Sequence, residues 1–200
     1  AMVFASFNAL FKLTPAVFDS WMTILQAVPD SVLWLLEGSP EATANLRREA
    51  AARGLAGERL VFAPRLPLAE HLARHACADL FLDTFPCNAH TTASDALWAG
   101  LPLLTLSGES FASRVAASLL HAVGLPELVT QTLDDYTALA IELATDPARL
   151  EGLRSTLAAA RSTSSLFDAA GFAAQLERAF TIMVERQRQG QAPQDICLEP

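Results

Sequence analysis

The run from Asp83 to Gly100 constrains this chain most, because it joins a buried strand to a polar loop and then to a helix. The apolar run Leu80–Leu82 is typical of a buried strand, and the polar run His90–Thr92 stands where the next helix should begin. A helix start carries unpaired backbone N–H groups and the positive end of the helix dipole, and both attract anions. The run therefore predicts an anion site that suits the diphosphate of a nucleotide.

Short apolar strands alternate with helical segments along the first part of the chain. This alternation predicts an α/β fold with a doubly wound, Rossmann-like parallel sheet and right-handed crossovers. The predicted strands cover residues 2–6, 32–36, 60–62, 79–82 and 103–105. The predicted helices between and after them cover residues 15–27, 40–53, 68–76, 92–99 and 110–121.

After Val129 the pattern changes to helices alone, over residues 133–145, 147–161 and 167–188. We therefore expect a ligand-binding lobe over residues 1–130 and helices that pack on it over residues 131–188. Residues 189–200 are polar and rich in helix breakers, so we expect them to form a disordered tail.

Composition excludes several classes of protein. The 200 residues are 52% hydrophobic and 18% charged, which suits a globular chain, and the net charge of -8 argues against general binding of nucleic acid or anionic membranes. Three widely spaced cysteines, Cys77, Cys87 and Cys197, argue against a disulfide framework and favour a reducing compartment. With no apolar run long enough to span a membrane, we expect a cytoplasmic protein.

Polar residues follow the ends of the predicted strands. In open α/β sheets ligands bind outside the carboxyl ends of the strands, so these residues should share one crevice. They are Asn8, Lys12, His71, Arg74, His90, Thr91, Thr92 and Asp95. A lysine beside a helix start can neutralise a pyrophosphate, threonine groups can donate to it, and a carboxylate can accept from ribose hydroxyls.

Several of these residues also have a purely structural interpretation. Thr92 and Asp95 fit a capping box at the start of a helix. Lys12 alone suits a solvated surface charge, and Arg74 has Glu70 one helical turn before it as a possible ion-pair partner. Only the arrangement of the whole set favours a binding site over these readings.

The remaining histidines and the cysteine in the loop are less informative. His90 suits either a functional histidine or a hydrogen-bonded loop histidine. His75 and His121 have no polar neighbours along the chain and are expected to be structural. Cys87 lies in the anion loop without a base that the sequence identifies, so packing or contact with a substrate is favoured over nucleophilic attack.

Common cofactor and metal motifs are missing from the sequence. It has no Gly-x-Gly-x-x-Gly and no Walker-type run, which argues against NAD and ATP, and no Gly-x-Ser-x-Gly hydrolase elbow. It also has no Asp-x-Asp pair that would clamp a metal on a nucleotide sugar. We therefore expect neither a cofactor nor a metal ion.

A series of collinear motifs carries a resemblance to a known family. The motifs are Phe7-Asn8-x-x-Phe11-Lys12, Ser31–Leu36, Leu82-Asp83-Thr84, Cys87–Thr92 with Asp95–Gly100, and Gly108–Ala116. By these motifs the chain resembles the protein O-linked N-acetylglucosamine transferases, especially the bacterial ones, and the similarity runs in order from about residue 3 to residue 185.

That resemblance implies the carboxy-terminal, UDP-sugar-binding lobe of a GT-B type glycosyltransferase. It implies inverting transfer of N-acetylglucosamine from UDP-GlcNAc to serine or threonine hydroxyls of proteins, without a metal. The amino-terminal catalytic lobe and the tetratricopeptide repeats of the family are not in this sequence, so the chain is expected to be a piece of a longer enzyme. A UDP-binding or interaction module without turnover, and a protein glucosyltransferase using UDP-glucose, remain alternatives.

The resemblance also implies roles for individual residues. Lys12 would contact the diphosphate and assist departure of UDP, while His90, Thr91 and Thr92 would hold the phosphates. Asp95 would bind the ribose, and His71 and Arg74 would lie at the uracil. The rest of the implied UDP-sugar site is made by Asn8, Leu66 and Cys87.

The chain departs from the family pattern at two positions. Ala9 stands where the family often has glutamine, and Leu68 stands where some members place a lysine against the nucleoside. Both changes bear on affinity and on the identity of the donor sugar rather than on the fold.

Overall fold

The computed structural model describes residues 1–198 and contains one parallel sheet. Its strands are β1 (Met2–Ser6), β2 (Ser31–Leu36), β3 (Leu60–Ala63), β4 (Leu80–Leu82), β5 (Leu103–Leu106) and β6 (Val129–Thr130). All neighbours pair in parallel, in the order β3-β2-β1-β4-β5-β6. The predicted doubly wound α/β fold is confirmed.

Eight α-helices connect and cover the strands in the described part of the chain. They are α1 (Pro15–Ala27), α2 (Pro40–Ala52), α3 (Leu68–Arg74), α4 (Thr91–Trp98), α5 (Val115–Ala122), α6 (Leu133–Thr145), α7 (Pro147–Thr163) and α8 (Ala169–Arg188). Short 3-10 turns extend two of the predicted helices, at His75–Cys77 after α3 and at Phe111–Ser113 before α5.

Helix starts lie where the sequence offers capping side chains. Thr14 accepts a hydrogen bond from the backbone N–H of Val17, and Pro15 occupies the first turn of α1. Such a side chain satisfies one of the N–H groups that a helix start leaves unpaired, and proline loses nothing there because it has no N–H. A capping side chain also begins four further helices, with Ser39 on α2, Thr132 on α6, Asp146 on α7 and Asp168 on α8, and proline follows the cap on α2 and α7.

The sequence did not predict β6, which has only two residues. It pairs with β5 through Thr105 opposite Val129 and Leu106 opposite Thr130. A strand this short has no periodic pattern of its own, so its pairing partner decides its conformation.

The core lies on both faces of the sheet, and every side chain of β4 is fully buried. On one face, α6 packs against α1, where the indole N–H of Trp21 donates to the hydroxyl oxygen of Tyr136 at 3.1 Å. The Tyr136 hydroxyl in turn donates to the backbone carbonyl of Asp83 at 3.0 Å. Helix α6 is thereby attached to the carboxyl end of β4.

Helix α8 differs from the other long helices because none of its residues is buried. Its apolar side chains Phe172, Leu176, Phe180, Met183 and Val184 are exposed. Residues 191–198 have no regular secondary structure, and residues 199 and 200 lie outside the described residues. Disorder of the tail 189–200 therefore stays a prediction.

We expect Tyr136→Phe to lower the free energy of unfolding by about 1–3 kcal/mol, because it leaves the buried Trp21 N–H without an acceptor. Urea unfolding followed by tryptophan fluorescence measures the change. Thr156→Ala, at an exposed position of α7, is the control and should stay within about 0.5 kcal/mol of wild type. Unfolding of Tyr136→Phe at the wild-type urea concentration would contradict the role assigned to this hydroxyl.

Candidate functional site

The candidate site lies at the carboxyl ends of β1 and β4, which are neighbours in the sheet. The strand order reverses direction at this point, since β2 and β3 lie on one side and β5 and β6 on the other. Open α/β sheets bind ligands in the crevice at such a point. The loop after β1 carries Asn8 and Lys12, and the loop after β4 leads to His90 and the start of α4.

Lys12 reaches across to the loop after β4. It ends a short 3-10 turn, is half-buried, and donates from Nζ to the backbone carbonyl of Asn88 at 2.8 Å. The Asn88 side chain is fully buried and donates to the carbonyls of Thr84 and Leu106, which fixes the loop. Because Lys12 is half-buried and bonded to a backbone carbonyl, its interpretation as a solvated surface charge is wrong. Lys12 is also the only lysine in the 200 residues.

The start of α4 has no side-chain cap, unlike the starts of five other helices. His90 is the N-cap residue, and its own carbonyl accepts from the N–H groups of Ala93 and Ser94. Within residues 1–198, the backbone N–H groups of Thr91 and Thr92 have no hydrogen-bond partner. Two donors at the positive end of a helix are thus available to an anion.

The capping-box interpretation of Thr92 and Asp95 is wrong. The helix begins one residue earlier, at Thr91, so Thr92 does not occupy the N-cap position. Its hydroxyl instead donates to the side-chain oxygen of Asn8 on the opposite loop. The contact joins the start of α4 to the loop that carries Lys12.

Asp83 lies beneath the crevice and is 2% exposed. Its Oδ1 accepts from the N–H groups of Thr84 at 2.7 Å and Ala89 at 2.6 Å and from the Asn8 amide at 3.2 Å. Its Oδ2 accepts from the Thr105 hydroxyl at 2.7 Å. Burial raises the pKa of Asp83 to about 6, and the four hydrogen bonds oppose that shift by favouring the carboxylate.

A second polar cluster lies beside the first, on α3. Arg74 is buried, donates from Nη1 to the carbonyl of Pro64 at 2.8 Å, and places its guanidinium 4.3 Å from the centre of the Phe7 ring. Its Nη2 contacts Nδ1 of His71. The suggested ion pair between Arg74 and Glu70 is therefore wrong, because the guanidinium turns inward.

The Arg74 contact determines which nitrogen of His71 carries the proton. A guanidinium only donates, so Nδ1 accepts and the hydrogen is on Nε2, which faces a carboxylate oxygen of Asp95 at 4.0 Å. Burial, together with the charges of Arg74 and His75, lowers the pKa of His71 to about 4. The imidazole is then neutral at pH 7, and the pair is not a salt bridge. Burial also raises the pKa of Asp95.

The other predicted residues lie around these two clusters. Leu66 is exposed just before α3, Leu68 is exposed as the first residue of α3, and Cys87 is half-buried in the loop before α4. His90 is half-buried, with Nε2 at 3.4 Å from the carbonyl of Ala112 and its ring edge-on to the exposed ring of Phe111. Neither Leu66 nor Leu68 takes part in the hydrogen bonds of either cluster.

His75, which the sequence assigned a structural part, is buried. Its Nδ1 bonds to the carbonyl of His71 at 2.8 Å, and its ring packs edge-on against Phe7. Since Asn8 follows Phe7, the two clusters are joined through neighbouring residues of the loop after β1.

Sequence reasoning missed Asp83, Asn88 and Tyr136 as parts of the site. The position of Asp83 directly after a buried strand could have indicated its role, because a carboxylate there must find hydrogen-bond donors inside the protein. The contributions of Asn88 and Tyr136 depend on contacts with distant residues and have no local signal.

Within residues 1–198, no group of three or more histidine, cysteine, aspartate or glutamate side chains is placed to hold a metal ion. In the same part of the chain, no helix combines the length and apolarity that crossing a membrane requires.

Comparison with known proteins identifies the family. The model of glycosyl transferase family 41 matches residues 1–176. The chain belongs to glycosyl transferase family 41. The family resemblance expected from the motifs is thereby confirmed.

Two curated relatives of this family 41 chain carry the same functional name. The UDP-N-acetylglucosamine--peptide N-acetylglucosaminyltransferase of Caenorhabditis elegans is 41% identical over 190 residues, which are 95% of this chain and 16% of that protein. The probable UDP-N-acetylglucosamine--peptide N-acetylglucosaminyltransferase SEC of Arabidopsis thaliana is 39% identical over 193 residues, covering 96% of this chain and 20% of that protein. The chain thus spans a fifth or less of the length of these relatives.

Solved structures support the fold. A mutant of the O-GlcNAc transferase of Thermobaculum terrenum matches with a TM-score of 0.84 and 37% identity, over 91% of this chain and 36% of that one. Anabaena HepE, solved in complex with UDP and glucose, matches with a TM-score of 0.64 at 16% identity, which bears on the fold alone. The family 41 chain has the expected fold of a GT-B glycosyltransferase lobe.

We expect Asp83→Asn to change how stability depends on pH. A carboxyl whose folded pKa is raised from 3.8 to about 6 stabilises the fold below pH 3.8, and that contribution is lost as the pH rises through 6. Relative to Asp83→Asn, the wild-type chain should therefore lose about 2 kcal/mol of unfolding free energy between pH 4 and pH 7.

Urea unfolding of both proteins at several pH values measures this difference, and groups common to both cancel. Parallel pH profiles, or a wild-type chain that gains stability relative to the variant as the pH rises, would contradict the assignment.

Proposed function

We propose that this chain is the UDP-sugar-binding part of an inverting glycosyltransferase that transfers N-acetylglucosamine from UDP-GlcNAc to serine and threonine hydroxyls of proteins. One observation carries the proposal. In a family 41 chain, the only lysine is bonded to the loop that enters a helix whose first two N–H groups are unpaired among the described residues. A cation and two aligned donors at one helix start suit a diphosphate.

The reaction needs stabilisation of the charge that develops on the departing UDP. We assign this to Lys12, to the N–H groups of Thr91 and Thr92, and to His90. Donors that are already oriented before the reaction stabilise such charge without reorganising, and one of them can contribute about 3 kcal/mol to lowering the barrier. We therefore assign Lys12 and His90 as catalytic and propose that the protein supplies this stabilisation without a metal.

The nucleoside is assigned to the second cluster. We propose that the Asp95 carboxylate accepts hydrogen bonds from the ribose and that His71, with its neutral ring and its Nε2 facing Asp95, lies at the uracil. Arg74 supports that position by contacting Nδ1 of His71. Exposed Leu66 and half-buried Cys87 complete the proposed UDP-sugar site.

The acceptor side of the reaction is assigned to other parts of the enzyme. The curated relatives are five to six times longer than the matched region, since it covers 16% and 20% of their lengths. We propose that an amino-terminal catalytic lobe and tetratricopeptide repeats supply the acceptor protein's binding site, and that the base comes from that lobe or from the donor phosphate. Three free cysteines support the cytoplasm as the compartment.

We expect Lys12→Met to weaken binding of UDP to the 200-residue chain at least tenfold, because a hydrogen bond from a charged group is lost. Isothermal titration calorimetry with UDP measures the effect. Arg149→Met removes the same charge from an exposed ion pair with Glu142 on a distant helix and is the matched control. UDP binding that is equal in Lys12→Met and in the control would refute the role of Lys12.

A second measurement uses the single lysine. We expect UDP to protect Lys12 from reductive methylation, while the amino terminus, the only other amine, reacts as before. Mass spectrometry of the labelled chain reads both sites in one sample. Uridine, which has no phosphate, should give no protection, and equal labelling with and without UDP would place the diphosphate elsewhere.

We expect Asp95→Asn to weaken the binding of uridine and of UDP by the same factor, about tenfold, since the contact is to the ribose that both share. Lys12→Met should weaken the binding of UDP and leave that of uridine unchanged. Asp19→Asn, at an exposed position of α1, is the control and should leave both affinities unchanged. Loss of UDP affinity without loss of uridine affinity in Asp95→Asn would move this carboxylate from the ribose to the phosphates.

A further inference from the structure

The side-chain amide of Asn8 has no hydrogen left to donate to a ligand. Asn8 is buried, its Nδ2 donates to Oδ1 of Asp83 at 3.2 Å and to the hydroxyl oxygen of Thr84 at 2.9 Å, and its Oδ1 accepts from Thr92. The ionised Asp83 only accepts, so the amide orientation is fixed by its partner. Both amide hydrogens and one acceptor site are used inside the protein.

The same contact turns the hydroxyl of Thr92 inward. Its single hydrogen points to Oδ1 of Asn8, so it does not donate to a phosphate in the crevice. The donors that the first two residues of α4 leave for an anion are the backbone N–H groups of Thr91 and Thr92 and the hydroxyl of exposed Thr91. The side chain of Thr92 therefore donates its hydrogen bond within the protein, and its backbone N–H is the group that can donate to a ligand.

The hydrogen bonds of Asn8 link three segments that are far apart in sequence. Asn8 follows β1, Asp83 and Thr84 follow β4, and Thr92 lies in the first turn of α4. Lys12 lies four residues after Asn8 on the same loop, and its own bond to Asn88 completes a second link. The position of Lys12 relative to the start of α4 is thus set by two hydrogen bonds across the crevice, one from Thr92 to Asn8 and one from Lys12 to Asn88.

We propose that Asn8 is a positioning residue that acts through Thr92: it holds the first turn of α4 in register with the loop of Lys12 and does not touch the nucleotide. This inference rests on the proposed function, because it concerns the diphosphate end of the same site. It predicts that Asn8 and Thr92 work as one unit, whereas two separate contacts to the donor would act independently.

A double-mutant cycle tests the proposal on the full 200-residue chain. We expect Thr92→Val to weaken UDP binding about tenfold in the wild-type background, because one buried hydrogen bond at the site is lost. In the Asn8→Ala background the same substitution should have no effect on UDP binding. Uridine affinity should stay unchanged in all three variants, since a tie at the phosphate end does not reach the nucleoside. Calorimetry gives each dissociation constant, and thermal melting shows that each variant is folded at the assay temperature.

Two further variants show whether a loss of UDP affinity comes from the lost contact between Thr92 and Asn8 or from removing any threonine hydroxyl. Thr92→Ser keeps the donor and should recover most of the UDP affinity. Thr137→Val removes a threonine hydroxyl that ties α6 to Ser20 of α1, away from the crevice, and should leave UDP binding at the wild-type value. If Asn8→Ala melts below the assay temperature, Asn8→Ser, whose hydroxyl can still donate to Asp83, replaces it in the cycle.

The outcomes distinguish the two proposals. Losses that multiply in the double variant would overturn the positioning role of Asn8 while the UDP site stands. A wild-type chain that binds no UDP would overturn the proposed function and this inference with it. Weakening of uridine as well as UDP by Thr92→Val would show a general loss of packing and would also overturn the inference.

Discussion

The carboxylate of Asp83 takes four hydrogen bonds inside the protein, and the geometry of the candidate site depends on them. They join the end of β4 to the loop before α4, to β5 and to Asn8 on the loop after β1. Removing a carboxylate from water is costly, and within residues 1–198 no basic side chain forms an ion pair with this one. The four donors alone offset that cost, and the two backbone donors among them are the N–H groups of Thr84 and Ala89 rather than those that begin α4. The buried anion and the helix start therefore do not compete for the same donors.

The sequence predicted much of the fold because local signals were present. Strands β1 to β5 are apolar runs bounded by residues that break regular structure. The starts of α1, α2 and α7 are marked by the capping residues Thr14, Ser39 and Asp146. Strand β6 escaped, because two residues carry no pattern and their conformation is imposed by β5. The crevice was predictable from one topological rule. The partner of Thr92 was not predictable, since it lies on a loop 84 residues away along the chain. The inward turn of Arg74 was missed because it depends on contact with the ring of Phe7, which lies on another loop.

Positive charge in the crevice is local rather than general. The chain carries a net charge of -8, and the one lysine is held at the helix start by a backbone carbonyl. Nearby, His71 is neutral at pH 7 because burial and the adjacent Arg74 disfavour a second positive charge. The guanidinium itself lies under the crevice against Phe7. In the proposed site, attraction of an anion thus depends on one ammonium group and two backbone donors, and the neighbouring cluster contributes a neutral imidazole and a carboxylate.

The strand order has a consequence for how the site is assembled. Lys12 and Asn88 are 76 residues apart, and the tie from Tyr136 to Asp83 spans another 53. On a ribosome the lysine emerges long before the segment that receives it, and helix α6 emerges later still. Contacts of such long sequence separation form slowly, since loop-closure entropy must be overcome before they stabilise anything. A nascent chain that has passed only β3 therefore has apolar strands but lacks both the carbonyl that receives Lys12 and the start of α4, so the proposed anion site can form only after the later strands have docked.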